Sequence, residues 1–116
     1  MPISRLAECI VATEKDVAAS FLPALIVGHA GDGNFHLIIV VNPNEPMEMA
    51  EAERLNERLV HLALSFRGTC TGEHGVGQGK MDHLEAEHGA ALGVMRTLKR
   101  ALDPDNIMNP GKILRV

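Results

Sequence analysis

The turn segment Gly31-Asp32-Gly33-Asn34 lies between two short apolar runs, and this arrangement leaves few choices for the middle of the chain. The runs occupy residues 24–28 and 35–41 and are rich in β-branched side chains. Asp-Gly between two such runs is a strong signal for a β-hairpin with a two-residue turn. Neither run alternates apolar and polar residues, which is typical of strands covered on both faces. The sequence therefore predicts an antiparallel hairpin with Asp32-Gly33 at its turn.

Helical periodicity surrounds this hairpin. Apolar residues recur at helical spacing over residues 3–20 and 47–66, and over 81–102 with a break near Gly89. Gly68 is expected directly after the C-cap of the second helix, and a short strand is expected over residues 68–71. Helices combined with an antiparallel sheet in 116 residues predict a single domain, residues 1–116, of the α+β class. Its expected form is a partial ferredoxin-like layer with helices on one face of the sheet.

Composition limits the partners and the location of the chain. The formal net charge is −4 and no basic run occurs, so we expect no nucleic-acid partner. The apolar runs are much shorter than the roughly 18 residues of a membrane span, and no targeting segment is visible, so the chain is not expected to be transmembrane. Two cysteines, Cys9 and Cys70, stand far apart, which indicates free thiols in a reducing compartment and predicts a cytoplasmic location.

The segment GTCTGEHGVGQGK at residues 68–80 holds five of the eleven glycines and invites comparison with phosphate-binding loops. A P-loop requires glycine five positions before its Gly-Lys pair, but His74 stands five positions before Gly79-Lys80. A dinucleotide-binding fingerprint requires a third glycine after Gly75-x-Gly77, and Lys80 occupies that position. The spacing therefore argues against nucleotide phosphate binding by this chain alone.

The histidines beside the hairpin turn fit a metal site better. If Asp32-Gly33 form the turn, His29 and His36 stand directly opposite each other with Cβ atoms ~5 Å apart, close enough to share one ion. Glu73 or His74 would complete a two-histidine, one-carboxylate set with open positions. In an extended loop these neighbours point to opposite faces, so one would ligate while the other acts nearby. The alternative is a hydrogen-bonded or solvated histidine pair, with glycines that only serve tight backbone geometry.

Three ordered motifs span almost the whole chain. They are GHAGDGNFH at residues 28–36, GTCTGEHGVGQGK at residues 68–80 and LDPDNIMNPGKIL at residues 102–114. Together they resemble the C-terminal end of the FAD-linked 2-hydroxy-acid dehydrogenases and oxidases. That family includes cytochrome-linked D-lactate dehydrogenases, glycolate oxidases and D-2-hydroxyglutarate dehydrogenases, and the second motif is most similar to the D-lactate enzymes. Three motifs in a fixed order make the match much more specific than any one of them.

The resemblance implies an enzyme that oxidises a D-2-hydroxy acid, D-lactate foremost, to the 2-oxo acid and passes a hydride to FAD. Glycolate oxidase and D-2-hydroxyglutarate dehydrogenase activities are the alternatives within the family. The resemblance also implies a divalent metal, with zinc, manganese and iron as the candidates. The implied roles are metal ligands at His29, His36 and Glu73, a general base at His74, a substrate-orienting side chain at Asn34 and an approach to the flavin at Asn109.

The resemblance further implies that the chain is only part of an enzyme. Family members carry a large FAD-binding domain, which these 116 residues lack. The chain is thus expected to be the C-terminal substrate- and metal-binding part of a longer flavoenzyme, inactive alone, with the complete enzyme cytoplasmic or peripheral to the inner membrane. A lost strand would leave an open sheet edge and favour self-association. Two alternatives remain open: a stand-alone module that binds metal or a hydroxy acid, and an oligomerising α+β domain whose glycines and histidines only shape loops.

Overall fold

The computed structural model describes all residues, 1–116, and divides them into two compact units, Met1–Thr69 and Cys70–Val116. The first unit contains, in chain order, α1 (Ile3–Ala18), β1 (Ala24–His29), a 3-10 turn (Ala30–Asp32), β2 (Asn34–Ile39) and α2 (Pro46–Ser65). The second unit contains α3 (Met81–His88) and α4 (Ala91–Leu102). Helices together with a two-stranded antiparallel sheet confirm the predicted α+β class.

The core of the first unit lies between α1 and α2. Leu6 and Cys9 are buried on α1 at helical spacing, and Leu55 on α2 is only 1% exposed. Thr13 is buried on the same face of α1, and its hydroxyl donates a hydrogen bond of 2.8 Å to the carbonyl oxygen of Cys9. Because that bond satisfies the hydroxyl, a polar residue within the apolar face of α1 does not break the core.

The hairpin register differs from the predicted one. His29 pairs with Asn34 and Val27 pairs with His36, so four residues rather than two connect the strands. The predicted two-residue turn is therefore wrong. A type I′ turn needs positive φ at both central residues, whereas here only Gly33 has it, with φ 68°, because the preceding residues form the 3-10 turn. The strand predicted at residues 68–71 is also wrong, because the sheet contains β1 and β2 alone.

The two faces of the hairpin have different surroundings. Ala24 and Ile26 on one face line a hollow of about 260 Å³ together with residues of α1. Leu25, Val27 and Ile38 on the other face are 50%, 42% and 47% exposed. The expectation that both faces are covered is wrong for this chain, because a non-alternating apolar run shows only that both faces are apolar and not that both are buried.

The C-terminal end of α2 is a Schellman motif with an arginine at its turning position. Arg67, rather than the expected Gly68, directly follows the C-cap and takes φ 59°. The Arg67 N–H donates to the Leu64 carbonyl at 2.9 Å, and the Gly68 N–H donates to the Ala63 carbonyl at 2.8 Å. A Cβ on Gly68 would lie 2.8 Å from the Ala63 oxygen. Glycine is thus needed there for a close approach and not for a positive φ.

The second unit has a small core and a fixed turn after α4. Leu84 and Leu92 are buried, one on α3 and one on α4, and the helices break at Gly89 as predicted, with φ 48°. The Asp103 carboxylate accepts hydrogen bonds from the N–H groups of Ile107 and Met108, both at 2.9 Å. It also forms an ion pair with Lys99 of α4.

None of the helices combines the length and the apolar composition that a bilayer crossing requires.

Candidate metal and substrate site

The two histidines predicted as metal ligands lie on one face of the hairpin. Val27 pairs directly with His36, and His29 is two residues from Val27, so all three side chains emerge on the same side. The register differs from the prediction by two positions, and an even difference preserves the face. His29 and His36 are therefore diagonal rather than directly opposed neighbours. Their ring centroids are 6.4 Å apart and the ring planes meet at 88°.

This pair fits a divalent ion. A ring nitrogen of His29 and a ring nitrogen of His36 lie within 4.8 Å of each other. Two nitrogens bound to one tetrahedral zinc at ~2.0–2.1 Å are about 3.3 Å apart, so small side-chain rotations bring both within bonding distance. His29 is exposed and His36 is half-buried, which leaves room for further ligands. The geometry supplies two of the three or four ligands that a catalytic site needs.

Asn34 shares this face with the histidines. It pairs directly with His29 and stands two residues before His36, so strand alternation directs its side chain to the same side. Its amide offers two N–H donors and one carbonyl acceptor. An amide donor beside the two histidines can hold the carboxylate of a small acid, which is the orienting role predicted for Asn34.

A close approach between the two strands positions the pair. Gly28 precedes His29 and pairs with Phe35, which precedes His36. A Cβ on Gly28 would lie 2.5 Å from the Asn34 carbonyl oxygen and 2.6 Å from the Phe35 Cα. Any side chain at position 28 would push the strands apart at the place where the histidines emerge. In contrast, a Cβ on Gly31 would meet nothing within 4 Å.

Glu73 and His74 lie in the glycine-rich loop of the second unit. Glu73 Oε1 and His74 Nε2 are 3.6 Å apart, and both side chains are largely exposed. The expected opposite orientation in an extended loop is therefore wrong. The loop bends because the Thr71 hydroxyl donates 2.8 Å to the Gly75 carbonyl, and Gly75 takes φ 75°. This turn leaves both side chains at the tip of the loop, where a carboxylate can ligate and an imidazole can exchange a proton.

Cys70 anchors the start of this loop and is not a ready ligand. Its N–H donates 2.8 Å to the Glu87 carboxylate, and its side chain is buried. Burial raises the pKa of the Cys70 thiol to about 11, and a hydrogen bond of the thiol itself to the Glu87 carboxylate and the negative charge of that carboxylate add to the effect. Because only the thiolate binds metals well, the neutral thiol serves packing at neutral pH.

Asn109 lies in the C-terminal turn at φ 48°, and its carbonyl accepts a hydrogen bond of 3.3 Å from the Lys112 N–H. The carboxylate of Asp103 fixes the two residues that precede it, Ile107 and Met108. The Lys99 ammonium holds the pKa of the Asp103 carboxyl below its usual range. Sequence reasoning missed Asp103 as a positioning residue. The signal was present in the Lys99-to-Asp103 spacing of four residues just before Pro104.

The hollow beside α1 does not suit FAD. Its lining combines one carboxylate, Glu14, with the apolar side chains of Val17, Ala18, Ala24 and Ile26. A pyrophosphate needs N–H donors or cations, and a carboxylate repels it. These five residues therefore do not form a flavin-nucleotide site.

Comparison with known proteins identifies the family. Residues 1–113 match the family model described as FAD linked oxidases, C-terminal domain. A D-lactate dehydrogenase [cytochrome], mitochondrial, of Arabidopsis thaliana is 53% identical over 98% of this chain and 20% of the relative. A probable D-lactate dehydrogenase, mitochondrial, of Danio rerio is 49% identical over 100% of this chain and 24% of the relative. Glycolate oxidase subunit GlcD of Escherichia coli K12 is 40% identical over 74% of this chain and 17% of the relative.

These relatives correct the expected location. The D-lactate dehydrogenases of A. thaliana, D. rerio and Saccharomyces cerevisiae are named as mitochondrial proteins, so the prediction of a cytoplasmic or inner-membrane peripheral protein is wrong. Free cysteines indicate reducing conditions, which do not by themselves distinguish the cytosol from a mitochondrial interior. The chain spans about a fifth of the length of the curated relatives it matches. Over almost its full length, the chain belongs to the family of C-terminal domains of FAD-linked oxidases.

Proposed function

We propose that residues 1–116 act together as the substrate- and metal-binding part of an FAD-dependent dehydrogenase that oxidises D-lactate to the 2-oxo acid. The observation that carries this proposal is the shared face of His29, His36 and Asn34, where two imidazoles and an amide lie side by side. The D-lactate dehydrogenases at 49% to 53% identity support this substrate over glycolate, whose oxidase subunits match at 37% to 40%.

We propose His29, His36 and Glu73 as ligands of one divalent ion, either zinc, manganese or iron. Two imidazoles and a carboxylate are ligands that all three metals accept. When bound, the ion would supply Lewis-acid polarisation of the substrate's 2-hydroxyl and lower the pKa of that hydroxyl. The protein's part is to hold the two nitrogens on a rigid strand pair, which sets the position of the substrate.

The remaining residues would bind the substrate and move its proton. The Asn34 amide donates to the substrate carboxylate, and the His74 imidazole accepts the proton of the 2-hydroxyl, since an imidazole takes up protons near neutral pH. Asn109 approaches the flavin from the C-terminal turn. FAD, held by a region outside these residues, supplies the hydride acceptor for the C2 hydrogen. The chain alone is then inactive, and a mitochondrial location like that of its relatives fits this role.

A metal titration of the chain tests the proposal. After chelation and dialysis, we expect one equivalent of Zn²⁺ or Mn²⁺ to bind by isothermal titration calorimetry. The double substitution His29→Ala with His36→Ala should abolish binding, whereas His61→Ala, on the exposed side of α2, should leave it unchanged. Absence of any bound ion, or binding that survives the double substitution, would refute the metal site.

The general base is tested in the flavoenzyme that carries this segment. His74→Ala should lower turnover by ~10²–10⁴-fold while the flavin content stays normal. Loss of flavin in this variant would show that His74 retains the cofactor instead.

Self-association through the open edges of β1 and β2 is part of the same proposal, because an unpaired edge presents free backbone donors and acceptors. Light scattering should show an oligomer at micromolar concentration, and a monomer would count against it.

A further inference from the structure

The C-terminal segment, residues 113–115, is bonded to the glycine-rich loop of residues 68–80. The N–H of Ile113 donates a hydrogen bond of 2.7 Å to the carbonyl oxygen of Gly77. Gly77 lies three residues after His74 and has φ 55°. A glycine has wide conformational freedom, so this bond restricts the loop at a place where the loop's own backbone is permissive.

Ile113 makes this bond in an unfavourable backbone conformation. Its φ is 65°, in the left-handed region that a β-branched residue rarely adopts. Such a conformation costs free energy and persists only where the surrounding structure holds it. The Ile113 side chain is 47% exposed, so its own packing is limited. Contacts of the residues that follow Ile113 are therefore needed to hold the bond in place.

Arg115 makes such contacts with both helices of the second unit. Its guanidinium lies 2.7 Å from the Asp82 carboxylate and 3.8 Å from the Glu85 carboxylate, both on α3. Its carbonyl oxygen accepts a hydrogen bond of 3.0 Å from Nε of Arg96 on α4. Arg96 is also 3.8 Å from Glu85, so two arginines and two acids form one network. A network of several charges holds a segment better than an isolated surface pair, which contributes little.

The same segment bounds the turn that contains Asn109. Asp103, at the C-cap of α4, fixes the start of this turn by accepting two backbone N–H bonds. The turn ends at Lys112, whose N–H donates to the Asn109 carbonyl, and Ile113 follows directly. The turn is therefore held by α4 at one end and by the bond of Ile113 to the loop at the other. A displacement of Ile113 would move the turn and the loop together.

We propose that Arg115 is a positioning residue: through the backbone bond that joins Ile113 to the loop, it keeps the His74 imidazole within reach of the substrate's 2-hydroxyl. The same bond fixes the turn of Asn109 relative to the loop. This inference rests on the proposed function, because it takes His74 as the general base. A misplacement of a reacting group by about 1 Å can cost about 100-fold in rate, so even a surface network is able to control turnover.

The test uses the flavoenzyme that carries this segment, with Arg115→Ala as the main variant. We expect kcat with D-lactate to fall by about 10–100-fold. KM and flavin content should change by less than about twofold, because a displaced base affects the chemical step rather than substrate binding. Amide hydrogen exchange should become faster in residues 71–80 and stay unchanged in the hairpin, residues 24–39.

Further variants separate positioning from general destabilisation. Arg115→Lys keeps a positive charge that can pair with Asp82 and should recover part of the lost turnover. Asp82→Ala should also lower kcat, and combining it with Arg115→Ala should add little, because both substitutions break one network. The matched control is Arg100→Ala, which removes an exposed arginine of α4 outside this network and should change neither kcat nor hydrogen exchange.

The outcomes distinguish this inference from the proposed function. A normal kcat in Arg115→Ala, or a raised KM with unchanged kcat, would overturn the inference, whereas a large effect of His74→Ala would leave the proposed base standing. Equal losses in Arg115→Ala and Arg100→Ala would also overturn it. If neither His74→Ala nor Arg115→Ala lowers turnover, the proposed base and this inference fail together.

Discussion

The two histidines of the hairpin and the Glu73–His74 pair are held in different ways. His29 and His36 emerge from paired strands, where backbone hydrogen bonds and the close approach at Gly28 fix the direction of each side chain. Glu73 and His74 emerge from a loop whose bend depends on the bond between the Thr71 hydroxyl and the Gly75 carbonyl.

The strand pair is suited to hold side chains in fixed positions, whereas the loop is suited to let side chains move. Ligands on regular elements hold a site more accurately than ligands on loops, so the strand pair should provide most of the affinity for an ion. A loop can shift when a substrate enters or leaves, which suits a residue that must release a proton. Substitutions in the two regions should therefore differ in the size of their effects.

The largest contrast is expected in metal affinity. His29→Ala should weaken Zn²⁺ binding by more than about 100-fold, beyond the 10–100-fold typical for residues that only support a ligand, because it removes one of the two proposed ligands on the strand pair. Glu73→Gln should weaken it less, because water can replace a ligand that the backbone does not hold rigidly. Competition calorimetry against a chelator measures both. A larger loss for Glu73→Gln than for His29→Ala would reverse the contrast between strand and loop.

Each unit contains one buried cysteine, and the rates at which the two thiols react with a reagent can be compared. A pKa raised from 9.0 to about 11 leaves Cys70 about 100-fold less thiolate than an ordinary cysteine, so it should react that much more slowly with a thiol reagent at pH 8. Cys9, which is 0% exposed and whose pKa burial also raises, should react only when the first unit opens. The single-cysteine variants Cys9→Ala and Cys70→Ala separate the two rates. Faster labelling of Cys9 than of Cys70 would contradict the prediction that burial limits the reaction of Cys9.

Gly28→Ala tests whether the close strand approach positions the histidines. The added methyl must displace the backbone of Phe35, so we expect a loss of stability of about 1–3 kcal/mol and weaker Zn²⁺ binding. Gly31→Ala is the matched control, because its Cβ would meet nothing within 4 Å. Thermal denaturation and calorimetry provide the readouts. Equal effects of the two substitutions would mean that the approach at Gly28 does not position the pair.

The smallest effect concerns Asp103 and acid stability. Its pKa is lowered in the folded chain, so its ionised form stabilises the turn before Asn109 above the ordinary carboxyl pKa of about 3.9. That contribution is lost as the pH falls through the lowered native pKa. Asp103→Asn should lower the melting temperature by a few degrees at pH 6, and the difference from wild type should shrink toward pH 3. The control is the exposed neighbour Asp105→Asn, for which a similar pH dependence would argue against a specific role of Asp103.

The hairpin, and the position of its two histidines on one face, could be predicted from the sequence. Turn residues between apolar runs identified the hairpin, and the period of two kept His29 and His36 on one face although the register was wrong by two positions. A one-position error would have placed them on opposite faces. The register itself depends on the 3-10 turn and on Gly33, whose conformation the turn sequence alone does not determine.

The loop conformation was less predictable. Glu73 and His74 were expected to diverge, yet a hydroxyl-to-carbonyl bond four residues apart bends the chain and brings them to 3.6 Å. Such side-chain bonds compete with several alternatives of similar energy, so local sequence does not select one. The prediction that both faces of the hairpin are covered was wrong for another reason. Apolar composition shows that a strand face is able to pack against another surface, but it does not show that these 116 residues supply that surface.

The arginine at the end of α2 has a consequence for adaptation. Arg67 holds a left-handed conformation that an L side chain adopts at a cost of roughly 1–2 kcal/mol, part of which glycine would recover after its own larger entropy loss. Arg67→Gly is therefore a route to a more heat-resistant chain that alters neither the hairpin nor the glycine-rich loop. A lineage facing higher temperature, or a protein engineer, could raise stability there without changing the chemistry of the site.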